Sequence, residues 1–122
     1  MNWSAAGAAL LALAVMLGAF GAHGLKGKLD AYSMGVYEKA VFYHFIHALG
    51  LLVVPVLARV EAIKPGQSAL VCALLVAGIL IFSGSLYLLA ILGMRWLGAI
   101  TPLGGLSFIA AWIALAWALT RH

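Results

Sequence analysis

Residues 68–92 read SALVCALLVAGILIFSGSLYLLAIL, a run without one charged side chain. A helix needs roughly 20 predominantly apolar residues to cross the hydrocarbon core of a bilayer. This run is long enough, and three others match it: WSAAGAALLALAVMLGAFGAH (3–23), EKAVFYHFIHALGLLVVPVLA (38–58) and PLGGLSFIAAWIALAWALT (102–120). The fold class that follows is all-α: an integral membrane four-helix bundle, one domain over residues 1–122.

Composition agrees. Of 122 residues, 66% are hydrophobic and 8% charged, whereas an ordinary soluble domain is about a quarter charged. The 7 Lys and Arg are scattered between apolar runs, with no basic cluster and no interleaved aromatics. No nucleic-acid footprint is present, and the cations read as interface anchors at helix ends. The lone Cys72 allows no intrachain disulfide and reads as a small buried hydrophobe. The first span has no Lys or Arg before it and exceeds a usual signal-peptide core, so it reads as a retained helix.

The breaks are marked by GLKGKLD (24–30), RVEAIKPGQ (59–67) and GMRWLGAI (93–100). Leu29, Tyr32, Val36 and Ala40 recur near helical spacing, which predicts a short interfacial helix over 29–37 between spans one and two. Thr101 before Pro102 predicts an N-cap with proline at the first helical position. Pro55 removes one backbone bond inside span two. Four spans put both termini on one side, here side A, with Arg59, Lys64 and Arg121. Side B holds Lys26, Lys28, Lys39 and Arg95. This balance does not decide orientation by the positive-inside rule; the expectation leans to side A as cytoplasmic.

Helices in lipid gain from close packing of small residues. Candidate seams are Ala5, Ala9, Ala12, Met16, Ala19 and His23 in span one; Ala40, Tyr43, His47, Gly50 and Val54 in span two; Ala69, Ala73, Val76, Leu80, Ser83 and Tyr87 in span three; and Gly104, Ser107, Ala111, Ala114 and Ala118 in span four. Phe108, Trp112, Leu115 and Leu119 then face lipid. His47 lies on its seam, and His44 lies about 60° around the helix.

Depth sharpens the picture. His44 and His47 lie roughly 9–14 Å inside the B face. His23, Glu38, Tyr43, Ser83, Ser85, Tyr87, Thr101 and Ser107 fall in the same half, and the A-side half is aliphatic. Unpaired polar groups are costly in hydrocarbon, so these ten side chains should face each other, a partner or a bound molecule. The expectation is that His47 contacts Ser83, Tyr87 or His23, with His44 more peripheral.

Three chemistries can be set against this cluster. His23, His44 and His47 could ligate zinc or copper, but there is no thiolate pair and no HExxH. No metal site and no cofactor is expected. Acyl or phosphoryl transfer would need Ser83 or Ser85 as nucleophile, His47 or His23 as base, and the N-terminus of span four as oxyanion donor. FSGSL (82–86) spells a serine elbow, but that motif requires a strand-to-helix turn and this segment reads as mid-helix. Proton transport would need a polar path that the aliphatic A-side half lacks.

GAFGAHGLK (18–26), YHFIHAL (43–49), FSGSLYLLA (82–90) and ITPLGGLSF (100–108) closely resemble the domain-of-unknown-function 423 family. These are small bacterial membrane proteins with an animal counterpart, transmembrane protein 256. The resemblance implies a four-span inner-membrane protein and supplies no activity, substrate or cofactor. Its signature positions fall on Gly21, His23, Gly24, Tyr43, His47, Ser83, Gly84, Ser85, Tyr87, Thr101, Pro102, Gly104 and Gly105. Position 44 departs from the family's frequent Tyr-Gln, which implies polarity there rather than a particular imidazole.

The expected role is non-enzymatic binding of a lipid, small molecule or partner protein through the one-leaflet polar cluster. The alternatives are an intramembrane acyl transferase or hydrolase with a histidine base, and a subunit of a transport assembly. Expected partners are the lipid bilayer, such a ligand, and a second copy or another membrane protein.

Overall fold

Helix α1, Trp3–His23, starts where the Asn2 side chain accepts from the Ala5 N–H at 3.0 Å, satisfying one of the orphan donors of a first turn. In the computed structural model, which describes residues 2–121, it ends at Gly24 in a turn-rich connection where Gly27 takes φ +81. Asp30 then caps α2 by accepting from the Ser33 N–H at 2.7 Å.

Helix α2 runs unbroken over Ala31–Arg59. This corrects the expected interfacial helix at 29–37. Those residues are helical from Ala31, but they are the first turns of span two. The Asp30 cap sets the start, and no proline or turn interrupts the backbone before Ala40. At 29 residues the helix is about 43 Å long, against about 30 Å of hydrocarbon, so its N-terminal turns reach toward the headgroups.

Span three has a break in its hydrogen-bond pattern. Helix α3, Pro65–Gly78, passes into a π-helical turn at Ile79–Ser83 and continues as α4, Gly84–Leu92. Gly93 closes α4 in the left-handed region at φ +69, where glycine carries no Cβ penalty. A 3₁₀ turn, Arg95–Ala99, leads into α5, Thr101–Thr120. Thr101 is the first helical residue, not the N-cap. The 3₁₀ turn already delivers Ile100 N–H to Leu97 O and Leu103 N–H to Ile100 O, so a side-chain cap is not required. Among the described residues, four helical stretches, Trp3–His23, Ala31–Arg59, Pro65–Leu92 and Arg95–Thr120, are long and apolar enough to span a membrane.

α2 is the axis of the bundle. One side packs on α1, another on span three, and α5 lies against span three and the far side of α2. α2 therefore buries two stripes. Ala40, His47, Gly50 and Val54 are buried as the seam requires, and Tyr37, His44, Ala48 and Leu51 are buried as well.

The seam of α5 holds, with Gly104, Ala111 and Ala118 buried, whereas those of α1 and span three, and the lipid face assigned to α5, need correction. In α1 the expected alanine stripe, Ala5 through His23, is exposed throughout, and Gly7, Ala14 and Gly21 are buried instead. A Cβ on Gly7 would stand 2.7 Å from Leu52 N, so the contact demands glycine, and alanine is left to face lipid. In span three Ala69, Ala73 and Leu80 are exposed, while Val71, Cys72, Leu75, Gly78 and Ile79 are buried. Up to Ile79 the true face is about one residue step, 100°, around the helix, and at the end of the π turn Ser83 is buried as expected. In α5 Phe108 (4%) and Leu115 (9%) are buried, not lipid-facing. Phe108 fits against Gly78, where a side chain would collide with its ring. Trp112 and Leu119 are exposed as expected.

Candidate functional site

His44 bridges two helices. Its Nε2 lies 2.8 Å from Leu10 O of α1, and its Nδ1 lies 2.8 Å from the Tyr87 hydroxyl of α4. A carbonyl only accepts, so Nε2 carries the proton. In the neutral ring Nδ1 then accepts from the Tyr87 O–H. The residue is 2% exposed. The expectation of a peripheral His44 is overturned, because α1 packs on the side of α2 where His44 lies.

His47 does not meet Ser83, Tyr87 or His23. Its Nδ1–H donates to Tyr43 O of its own helix at 2.7 Å. Its ring stacks on Phe108, with centroids 3.5 Å apart and planes 12° from parallel. Tyr43 and Trp112 lie further out, both with centroids at 5.8 Å. Tyr43 also packs its ring against Phe82 at 4.6 Å.

The hydroxyls form further cross-helix bonds. Ser83 Oγ donates to Ala40 O at 2.9 Å, and Ser107 Oγ to Leu74 O at 2.7 Å. Ser85 and Thr101 hydroxyls lie 2.6 Å apart, with Phe82 O and Leu97 O in reach of their protons. Two more bonds come from residues that the sequence reading did not single out. Ser4 Oγ donates to Leu52 O at 3.0 Å, and the Tyr37 hydroxyl donates to Leu17 O. Tyr37, His44 and Leu51 recur every seven residues, and that repeat was the available signal for a second face on α2.

The ten expected residues thus resolve into separate links. His44 and Tyr87, Ser85 and Thr101, and the Tyr43–His47 pair are brought together, while Ser83 and Ser107 each bond a neighbouring helix. His23 and Glu38 are exposed and stay apart. Among the described residues, no fully buried side-chain N or O lacks a partner, no serine bonds a histidine, and no three His, Cys, Asp or Glu side chains cluster as metal ligands.

Among several surface grooves, one lies at side B. A groove of ≈ 400 Å³ runs between α2, α4 and the start of α5. Val36, Phe82, Leu86 and Leu89 form its apolar wall, Tyr32 and Lys39 supply its polar groups, and Thr101 lines it with its hydroxyl turned to Ser85 and Leu97 O. The Arg95 guanidinium lies over the Tyr32 ring, 5.8 Å from its centre. Asp30 stands near. Its carboxyl is held below the usual range by the Ser33 N–H first, then by the Ser33 side chain, with Arg95 contributing less. A second groove, between α1 and α2, is lined by Gly18, Gly21, Tyr37 and the Glu38 carboxylate.

The chain matches the family model described as "Protein of unknown function (DUF423)" over residues 17–105. It is 49% identical over 109 residues to a UPF0382 membrane protein of Staphylococcus haemolyticus, covering 89% of this chain and 87% of that one. It is 49% identical over 111 residues to the UPF0382 membrane protein YwdK of Bacillus subtilis, covering 90% and 89%. No solved structure matches it.

Proposed function

The chain belongs to the DUF423 family of membrane proteins of unknown function, and from that premise we propose that it is a non-catalytic protein that holds a membrane amphiphile in the side-B groove. The observation that carries this reading is the make-up of the groove. It combines an apolar wall open to the bilayer with the Lys39 ammonium. Its volume falls within the range of small-molecule sites, roughly 300–1,000 Å³. The buried polar groups support the same reading from the other direction. Apart from His47, which bonds its own helix, the cluster groups bond across helices, which fits a role in fixing the bundle and leaves recognition to the groove. A transferase would need a serine paired with a base, and Ser83 and Ser85 bond backbone carbonyls and Thr101 instead.

The proposed setting is the bacterial cell membrane, with both termini on one face and that face leaning cytoplasmic. A photo-crosslinking side chain at Val36 tests the groove, with the same group at exposed Leu13 of α1 as control. A resident amphiphile gives a lipid-mass adduct at Val36 that survives detergent purification, and much less at Leu13. Equal yields at the two positions would mean that the groove sees only bulk lipid.

A further inference from the structure

Resting on the groove reading above, we infer that the occupant is a monoanionic phospholipid whose phosphate sits against Lys39, with Arg95 as the outer cation. Helix α5 has 20 residues from Thr101 to Thr120, about 30 Å, the thickness of the hydrocarbon core. Thr101 therefore marks the side-B boundary of that core. Lys39 lines the same groove as Thr101, so its ammonium stands at the level where phosphates meet acyl chains.

Charge comes next. Tyr32 and Lys39 are seven residues apart on α2, about 10 Å along its axis. Arg95 sits over Tyr32 at the outer end, where Asp30 already offsets it. Glu38, the neighbour of Lys39, lines the separate groove against α1. Lys39 is thus the cation in this groove without a carboxylate on its own wall. One negative charge balances it. A zwitterionic headgroup brings its own ammonium and balances it poorly.

Phe82 lies at the inner end of the groove, because α4 runs outward from it through Leu86 and Leu89. A chain descending from a phosphate at Lys39 passes over Leu86 and meets the Phe82 ring. A free phosphate would use the cation and leave this wall bare to lipid.

The experiment is native mass spectrometry and thermal melting of the full chain in detergent. The probes are phosphatidylglycerol, phosphatidylcholine and inorganic phosphate. Phosphatidylglycerol should be retained and raise the melting temperature more than phosphatidylcholine. Lys39→Gln should weaken phosphatidylglycerol about fivefold, the effect of one basic side chain at an anionic surface, and leave phosphatidylcholine unchanged. Lys39→Arg should restore it. Equal binding of the two lipids, insensitive to Lys39→Gln, overturns the charge inference and leaves the amphiphile reading standing. A folded Val36→Trp variant, its groove filled, that binds both lipids as before overturns the amphiphile reading as well. Lys39-dependent stabilisation by inorganic phosphate alone would mean that the lipid is not the ligand.

Discussion

His44 and His47 stand three residues apart on one helix, both almost wholly buried, yet they are held by different physics. His44 faces α1 and α4 and connects them with a hydrogen bond at each ring nitrogen. His47 faces α5, bonds only its own helix, and otherwise behaves as a flat aromatic plate on Phe108. The contrast extends along the helix. The α1 side of α2 is tied by directional bonds, Ser4 to Leu52 O, His44 to Leu10 O and Tyr37 to Leu17 O. The α5 side is packed by rings, with Trp112 over Gly50 and Phe108 over His47. A buried imidazole in a membrane helix is therefore not by itself a sign of chemistry, since its neighbours decide whether it bridges or fills.

The largest expected effect breaks the bridge. His44→Ala removes two interhelical bonds, each averaging ~0.6 kcal/mol in membrane proteins, and empties a ring-sized space, for a total of about 2–3 kcal/mol. His44→Gln keeps a donor and an acceptor and should recover roughly half of that loss. Melting in detergent measures both. If alanine and glutamine are equally damaging, the hydrogen bonds are not what holds this face.

Next come the close approaches. Gly7→Ala drives a methyl into the backbone of α2 at Leu52, and a helix backbone cannot step aside, so the cost should be ~1–3 kcal/mol. Gly50→Ala meets the far edge of the Trp112 indole at 2.7 Å. Trp112 is 37% exposed and can turn toward lipid, so the cost should stay below ~1 kcal/mol. Reversed magnitudes would mean that the α5 side is the rigid one.

These two glycines show what the sequence could and could not reveal. The four spans were legible because span length is fixed by the bilayer and charge is confined to its edges. The seam of α2 was legible because its polar and small residues, Ala40, His47 and Gly50, are unusual among aliphatics. The faces of α1 and span three were not. Alanine is cheap in lipid, so the stripe from Ala5 to Ala19 carried no packing information, and the informative residues were Gly7 and Gly21, where only a hydrogen fits. Phe108 was assigned to lipid because it lies off the small-residue stripe, but Gly78 leaves it room inside. Of the candidate site, the pairings Ser85–Thr101 and His44–Tyr87 join residues named from sequence. Assigning His44 to the edge failed because a single seam was assumed for a helix that has neighbours on two sides. The groove at Lys39 was invisible, since it depends on how α5 starts relative to α4.

A smaller effect sharpens the other half of the comparison. His47→Phe retains a flat ring against Phe108 and loses one bond within its own helix, where Tyr43 O still serves the backbone. The melting temperature should fall by the equivalent of less than ~1 kcal/mol. His44→Phe keeps a ring too, but strands the Tyr87 hydroxyl in a dry site, at ~1–3 kcal/mol. A His47→Phe variant as unstable as His44→Phe would assign His47 a polar role that stacking does not explain.

The smallest expected effect lies outside both faces. Ala9 and Ala12 belong to the exposed stripe of α1, so Ala12→Leu in the isolated bundle adds apolar surface to lipid and should change stability by no more than ~0.5 kcal/mol. At Ala111, which is fully buried, the same change overpacks the core at ~1–3 kcal/mol. The pair thus calibrates lipid-facing against buried alanine within one fold. Mass photometry of Ala12→Leu in detergent adds a second reading. Small residues that face lipid in one copy can be the contact surface between two copies. An unchanged mass assigns the stripe to lipid. A dimer present in the native chain and lost in Ala12→Leu would assign it to a second α1, and the outer face of α1 would then be a third packing surface beside the two on α2.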